Sequence, residues 1–152
     1  MGNMQQPSKQ FMQPNAFDRF VNRAFGFLVK IGFGLRHNFL LEVQGRKSGR
    51  IYSTPVNVLE YNGRRYIVAP RGYTQWVKNV LANGGATLVK GAKREEVSLR
   101  AIENEAKAEL LKLYLDRFKL TVQRYFPVPA GSPVKEFHSL AARYPVFEIT
   151  VK

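Results

Sequence analysis

Apolar positions along this chain change period twice, and each change marks a class of element. Over residues 15 to 31 they recur at helical spacing: Phe17, Phe20, Val21, Ala24, Phe25, Leu28 and Ile31 fall on one face and Asp18, Arg19, Asn22 and Arg23 on the other. This predicts an amphipathic helix with Asn15 as its N-cap, preceded by a loose tail over residues 1 to 14 that contains Pro7 and Pro14. From His37 the period drops to two. Strands are expected over 38 to 44 and 51 to 61, with the turn Gly45-Arg46-Lys47-Ser48-Gly49-Arg50 between them. Asn62-Gly63 is a strong hairpin signal and returns the chain along 65 to 69. Pro55 removes a ladder donor and predicts an edge position or a bulge. Thr74 is placed to cap a short helix over 75 to 82, closed by Asn83-Gly84-Gly85. Two strands follow over 86 to 90 and 95 to 102. A helix is expected from 103 to about 125, with Leu110, Leu111, Tyr114, Leu115 and Phe118 inward, then a short helix from Ser132 to about Arg143 and a last strand over 146 to 151.

This order argues for an α+β domain: an antiparallel split β-barrel of about six strands flanked by helices, spanning residues 15–152 after the flexible tail 1–14. A chain of 152 residues with 45% hydrophobic content can bury a core of that kind. With no cysteine and two histidines, a disulfide framework, a thiolate nucleophile and a zinc site are excluded, and no metal is expected. No secretory leader is read at the N-terminus, and Gly26, Lys30, Gly32 and Gly34 break the longest apolar stretch, so a cytoplasmic protein without a transmembrane helix is expected. Neither a G-x-G-x-x-G nor a Walker A pattern is present, which speaks against a Rossmann or P-loop site.

Charge changes the picture. The net +13 divides as +6 over residues 1 to 52, +6 over 53 to 94 and +1 over 95 to 152, so the excess surrounds the first turn. A field of that kind attracts nucleic acid, an anionic membrane surface or a small polyanion. Within it, the glycines of the turn allow a tight bend with main-chain N–H groups presented to a ligand, and Arg46, Lys47 and Ser48 add side-chain donors. Read alone, the turn is either an anion cradle or a solvated hairpin loop. The first helix likewise either covers the core or lies on a membrane surface.

Taken in order, GRKSG, Pro55, the strand YIVA, the loop PRG and the helix QWVKNVLANGG resemble the deazaflavin-dependent nitroreductase family over about residues 36 to 105. Members of that family fold as split β-barrels and bind the reduced deazaflavin coenzyme F420. The resemblance implies that Arg46, Lys47 and Ser48 hold the coenzyme's acidic tail and that Ala69, Pro70 and Arg71 line its ring. It implies further that Trp76 and Asn79 close over the same groove, with Tyr52 and Pro55 on the facing strand. The sequence departs from the family pattern at Tyr52, where an arginine is usual, in a shorter loop between Arg71 and Trp76, and at Val134 and Phe137, which replace substrate-side tyrosines.

The function implied is an F420H2-dependent oxidoreductase that transfers a hydride to a small, electron-poor, apolar acceptor such as a quinone, enone or nitro compound, with FMN as the alternative cofactor. His138 and Tyr73 are the candidate proton donors. Phe126, Phe137 and the first helix are expected to roof an apolar acceptor pocket. A rival reading keeps the barrel as a non-catalytic or membrane-associated binder of a lipid, flavin or tetrapyrrole. No nucleic-acid partner is assigned, although a nucleic-acid binder would use the same charge. Peripheral contact with the inner face of a membrane through the first helix remains open, as does the choice between monomer and homodimer.

Overall fold

The computed structural model describes residues 36–152; the tail and the helix expected over residues 1 to 31 lie outside the described residues. Six strands form a closed ring in the order β1-β2-β3-β6-β5-β4, every neighbouring pair antiparallel: β1 (Asn38–Gln44), β2 (Ile51–Tyr61), β3 (Arg64–Val68), β4 (Gly85–Lys90), β5 (Lys93–Ala101) and β6 (Val146–Val151). Closure comes from two long-range pairings. β1 lies against β4 with Leu40 opposite Val89, and β6 inserts between β3 and β5 with Phe147 opposite both Ile67 and Ala101.

Alternation decides which side chains go inside. Leu41, Val43, Val58, Ile67, Val97, Leu99, Phe147 and Ile149 fill one cluster with Val77 and Val80 of α1 (Gln75–Asn83). Their immediate neighbours in sequence, Tyr66, Val68 and Val146, point the other way into a second cluster, built with α2 (Ala108–Val122) and α3 (Lys135–His138). That second layer is aromatic. Phe126 stacks on Tyr144 with ring centroids 4.5 Å apart, Phe137 meets Phe126 at 6.4 Å, and Phe137 has no exposed surface. The Tyr144 hydroxyl donates to the Tyr125 carbonyl at 2.6 Å. Phe126 and Phe137 therefore belong to the core rather than to the roof of a pocket, and Val134 lies exposed just before α3.

The strands and turns follow the sequence reading closely. Asn62 (φ 53°) and Gly63 (φ 75°) both take left-handed backbone in the β2–β3 hairpin, as an Asn-Gly turn requires. Gly84 (φ 74°) ends α1, its N–H donating to the Val80 carbonyl at 2.7 Å. The helices differ from it. The expected helix over 103 to 125 divides into a 3₁₀ turn at Asn104–Ala106, α2, and a second 3₁₀ turn at Gln123–Tyr125. Inside α2, Phe118 leaves helical geometry (φ −113°, ψ 26°), its ring against His37 at 4.5 Å and Tyr114 at 5.2 Å, while the Thr121 hydroxyl donates to the Phe118 carbonyl at 3.2 Å. Ser132 to Arg143 likewise resolves into α3 and a 3₁₀ turn at Ala141–Arg143.

Pro55 reveals how the barrel opens. β2 is 11 residues long, yet only its last four, Val58 to Tyr61, pair with β3; residues 51 to 57 pair with β1 alone. Pro55 sits opposite Leu40 in that half-paired stretch, where its missing N–H breaks no ladder on the free side. The unpaired side of β2 becomes the wall of a cleft.

Candidate functional site

A cleft of about 560 Å³ opens between two walls. The first is made of Ser53 to Asn57 on β2, the loop Val68 to Arg71 after β3, and Thr74 and Trp76 at the start of α1. The second is made of Tyr114, Thr121 and Val122 on α2 and Arg124 and Tyr125 on the 3₁₀ turn that follows it. Its size suits a small-molecule or cofactor site. Among the described residues, two arginines line it, Arg71 and Arg124, and no carboxylate does.

The basic turn adjoins the first wall and is tied to it. The Arg46 amide and its Nη1 both donate to the Asn79 Oδ1, at 3.0 and 2.7 Å, and Arg46 Nη2 donates to Gln75 Oε1 at 3.1 Å. Asn83 Nδ2 donates to the Gln44 carbonyl at 2.6 Å. Within the turn, the Gly45 N–H reaches the Arg50 carbonyl at 2.6 Å and Gly49 (φ 76°) bends the chain back. A Cβ on Gly45 would lie 2.7 Å from the Tyr52 ring and 2.9 Å from Ser48 Oγ, so any side chain there would have to displace both groups. Ser48 Oγ accepts from the Arg50 amide at 3.1 Å and lies 3.2 Å from the Tyr52 hydroxyl.

These contacts sort the expected site residues. Pro55, Ala69, Pro70, Arg71 and Trp76 come together in the cleft lining. Lys47 and Ser48 stand exposed on the adjoining turn, and Tyr52 is exposed at the start of β2. Arg46 and Asn79 face each other: Asn79, only 5% exposed, acts as a latch that holds the turn against α1. Lys47, Arg50, Arg71 and Lys78 are exposed and carry no ion pair with any described residue, because the described carboxylates that form ion pairs do so with other cations, as Glu42 does with Arg94, Glu95 with Arg65 and Glu148 with Arg64 and Arg100.

Neither expected proton donor lines the cleft. His138 is exposed at the end of α3, and Tyr73 borders a separate hollow of about 410 Å³ together with Leu81, Glu103 and Lys107. Two phenols line the cleft, those of Tyr114 and Tyr125, beside the aliphatic hydroxyls of Ser53, Thr54, Thr74 and Thr121. Burial pushes the Tyr114 phenol up to about 12, so it keeps its proton at neutral pH. The Tyr125 hydroxyl accepts from Arg124 Nη2 at 2.9 Å, which leaves its own hydrogen available. Tyr114 is read from the sequence only as a core position, and Arg124 and Tyr125 only as the end of a helix. The signal that could have found them is an Arg-Tyr pair just past a helix, two residues before a proline and with no acidic neighbour. Thr74, the expected cap, takes extended backbone before α1 but makes no capping bond; its hydroxyl is buried with no partner among the described residues.

Comparison with known proteins places this geometry. The family model for F420H(2)-dependent quinone reductase matches residues 17–124. A solved F420-H2 dependent reductase (FDR-A) is 24% identical, with 76% of this chain and 95% of that chain aligned at a TM-score of 0.52. A structure described as a domain-swapped dimer is 20% identical over 87% of this chain and 98% of its own, at 0.53. An FAD-binding protein from Mesorhizobium loti is 12% identical over 85% and 88%, at 0.51. At these identities the solved structures show a shared fold. No curated protein matches the chain. Among the described residues no helix is long and apolar enough to cross a membrane. The family match covers well over half of the sequence: the chain belongs to the F420H(2)-dependent quinone reductase family and is a deazaflavin-dependent reductase that uses coenzyme F420.

Proposed function

We propose that this reductase passes a hydride from reduced F420 to an electron-poor acceptor, a quinone, enone or nitro compound, held in the cleft between β2 and α2. The observation that carries the reading is the charge of that cleft. Among the described residues, two arginines and no carboxylate line it, beside a turn whose Lys47 and Arg50 form no ion pair. A polyanionic coenzyme with a flat ring fits this donor set. Lys47, Ser48 and Arg50 hold its acidic end by charge-assisted hydrogen bonds, and Pro55, Ala69, Pro70, Arg71 and Trp76 hold the ring. When bound, the reduced deazaflavin supplies the hydride. The protein contributes position. The Arg46–Asn79 latch fixes the turn relative to α1, so both ends of the coenzyme meet groups already in place. Tyr114 and Tyr125 place hydroxyl groups at the second wall, where a reduced acceptor needs a proton.

Titration with oxidised F420 and with FMN, followed by coenzyme fluorescence, tests the binding half. Saturation by F420 at one equivalent with weak FMN binding is expected, and tight binding of FMN alone sinks the coenzyme assignment. A panel of quinones, enones and nitroarenes offered with reduced F420 tests the reaction; oxidation of the coenzyme by none of them removes the acceptor assignment.

A further inference from the structure

Arg124 is not needed by the coenzyme as assigned above. Lys47, Arg50 and Arg71 serve the coenzyme from the turn and the first wall, whereas Arg124 stands on the second. Its guanidinium carbon lies 4.9 Å over the Tyr125 ring and its Nη2 donates to the Tyr125 hydroxyl at 2.9 Å. A side chain stacked and bonded in this way has lost much of its rotamer freedom, so a ligand that meets it spends little further entropy on ordering it. No described carboxylate pairs with it. Among the described residues nothing pairs with the remaining donors of its planar fork, and a fork of that shape matches a carboxylate or sulfonate. The rest of this wall, Tyr114 and Val122 with the Thr121 edge, is largely apolar and suits a flat ring.

We propose that Arg124 selects acceptors that carry an anionic group: the preferred acceptor is a flat, electron-poor ring bearing a carboxylate or sulfonate, not a neutral lipid-like quinone. This rests on the reductase reading for the reaction, but the binding preference can be measured without it. Trp76 is the single tryptophan of the chain and lines the same cleft, so its fluorescence reports occupancy in the absence of turnover.

The test compares menadione with naphthoquinone sulfonate in wild type, Arg124→Gln and Arg124→Lys. Each quinone is titrated by Trp76 quenching in coenzyme-free protein, and kcat/KM is then measured with reduced F420. Wild type is expected to prefer the sulfonate, and Arg124→Gln to reduce that preference about ten- to a hundredfold, as loss of a charge-assisted pair does. The loss should fall on KM, Arg124→Lys should restore part of it, and added salt should shrink the preference in wild type. An equal fall for both quinones, no preference in wild type, or a tenfold weaker Kd for oxidised F420 in Arg124→Gln would each overturn the proposal; the last result gives Arg124 to the coenzyme. If the sulfonate preference appears in quenching while reduced F420 drives no turnover, the selection by Arg124 stands and the reductase reading fails separately.

Discussion

The two walls of the cleft are built by different physics. The turn–α1 wall is assembled from hydrogen bonds that reach the surface: half-exposed Arg46 to buried Asn79 and exposed Gln75, and exposed Asn83 to the Gln44 carbonyl. The α2 wall stands on an aromatic layer in which Phe126, Phe137, Tyr144 and Tyr114 pack ring against ring. A hydrogen bond in contact with water contributes little net stability but fixes geometry, whereas a buried ring contributes several kcal/mol and is tolerant of small shifts. The first wall should therefore control binding and the second stability. Substitutions can separate the two.

The largest expected effect is on the aromatic side. Phe137→Ala removes a fully buried ring and should cost about 3–5 kcal/mol, read as a lower urea midpoint, while the protein that remains folded binds F420 with near wild-type affinity. A matching loss of affinity would show that the walls are coupled. Next comes the latch. Asn79→Ala leaves two Arg46 donors without their acceptor and should cost about 1–2 kcal/mol, with F420 binding weakened about tenfold because the turn is no longer held. If stability falls and affinity does not, Asn79 is a packing residue and the turn is fixed by other contacts. Lys47→Ala should do the reverse: an F420 affinity about tenfold weaker, with stability unchanged to within about 0.5 kcal/mol, since Lys47 is exposed and unpaired among the described residues.

The smallest effect is one of pH. His37 packs on Phe118 at the foot of the α2 wall, and burial, together with the charges of Lys90, Arg117 and Arg36, lowers its pKa from 6.5. The unfolded chain then takes up a proton at a higher pH than the folded one. The contribution of His37 is fully present above 6.5 and is lost as pH falls from there through the lowered folded value. His37→Phe, which keeps a ring against Phe118, should flatten the stability profile in that window. A slope unchanged by the substitution would assign the acid sensitivity to other groups.

The same contrast explains how much was legible in the sequence. Strands were legible because period-two alternation and an Asn-Gly turn are local signals, and the split of the barrel was foreshadowed by a single proline whose missing N–H needs an unpaired side. The three segments of the first wall were legible as a motif for the same reason: each is a short run of turn or cap chemistry. The second wall was not. Whether Phe126 and Phe137 roof a pocket or fill a core depends on the break at Phe118 and on what Tyr144 brings up from much further along the chain. Spacing says nothing of that. His138 and Tyr73 carry suitable chemistry, but which residues reach a cleft depends on how distant elements pack, and neither is among the residues lining the cleft that Tyr114 and Tyr125 line. Nor could charge counting show that Arg46 is occupied by an amide 33 residues away.

The place of β6 in the ring has a consequence for how the molecule comes into being. β6 lies between β3 and β5, and its partners on β3 are separated from it by most of the domain, as Arg65 opposite Ile149 illustrates. Until residues 146 to 151 leave the ribosome, β3 and β5 each present an unpaired edge, and Phe147 is missing from the interior it fills. Hairpins β1–β2–β3 and β4–β5 can form earlier, but closure is a late, long-range event with a high loop-entropy barrier. During synthesis the nascent chain is thus an open sheet with exposed edges, the form in which a β protein is most prone to associate with its neighbours.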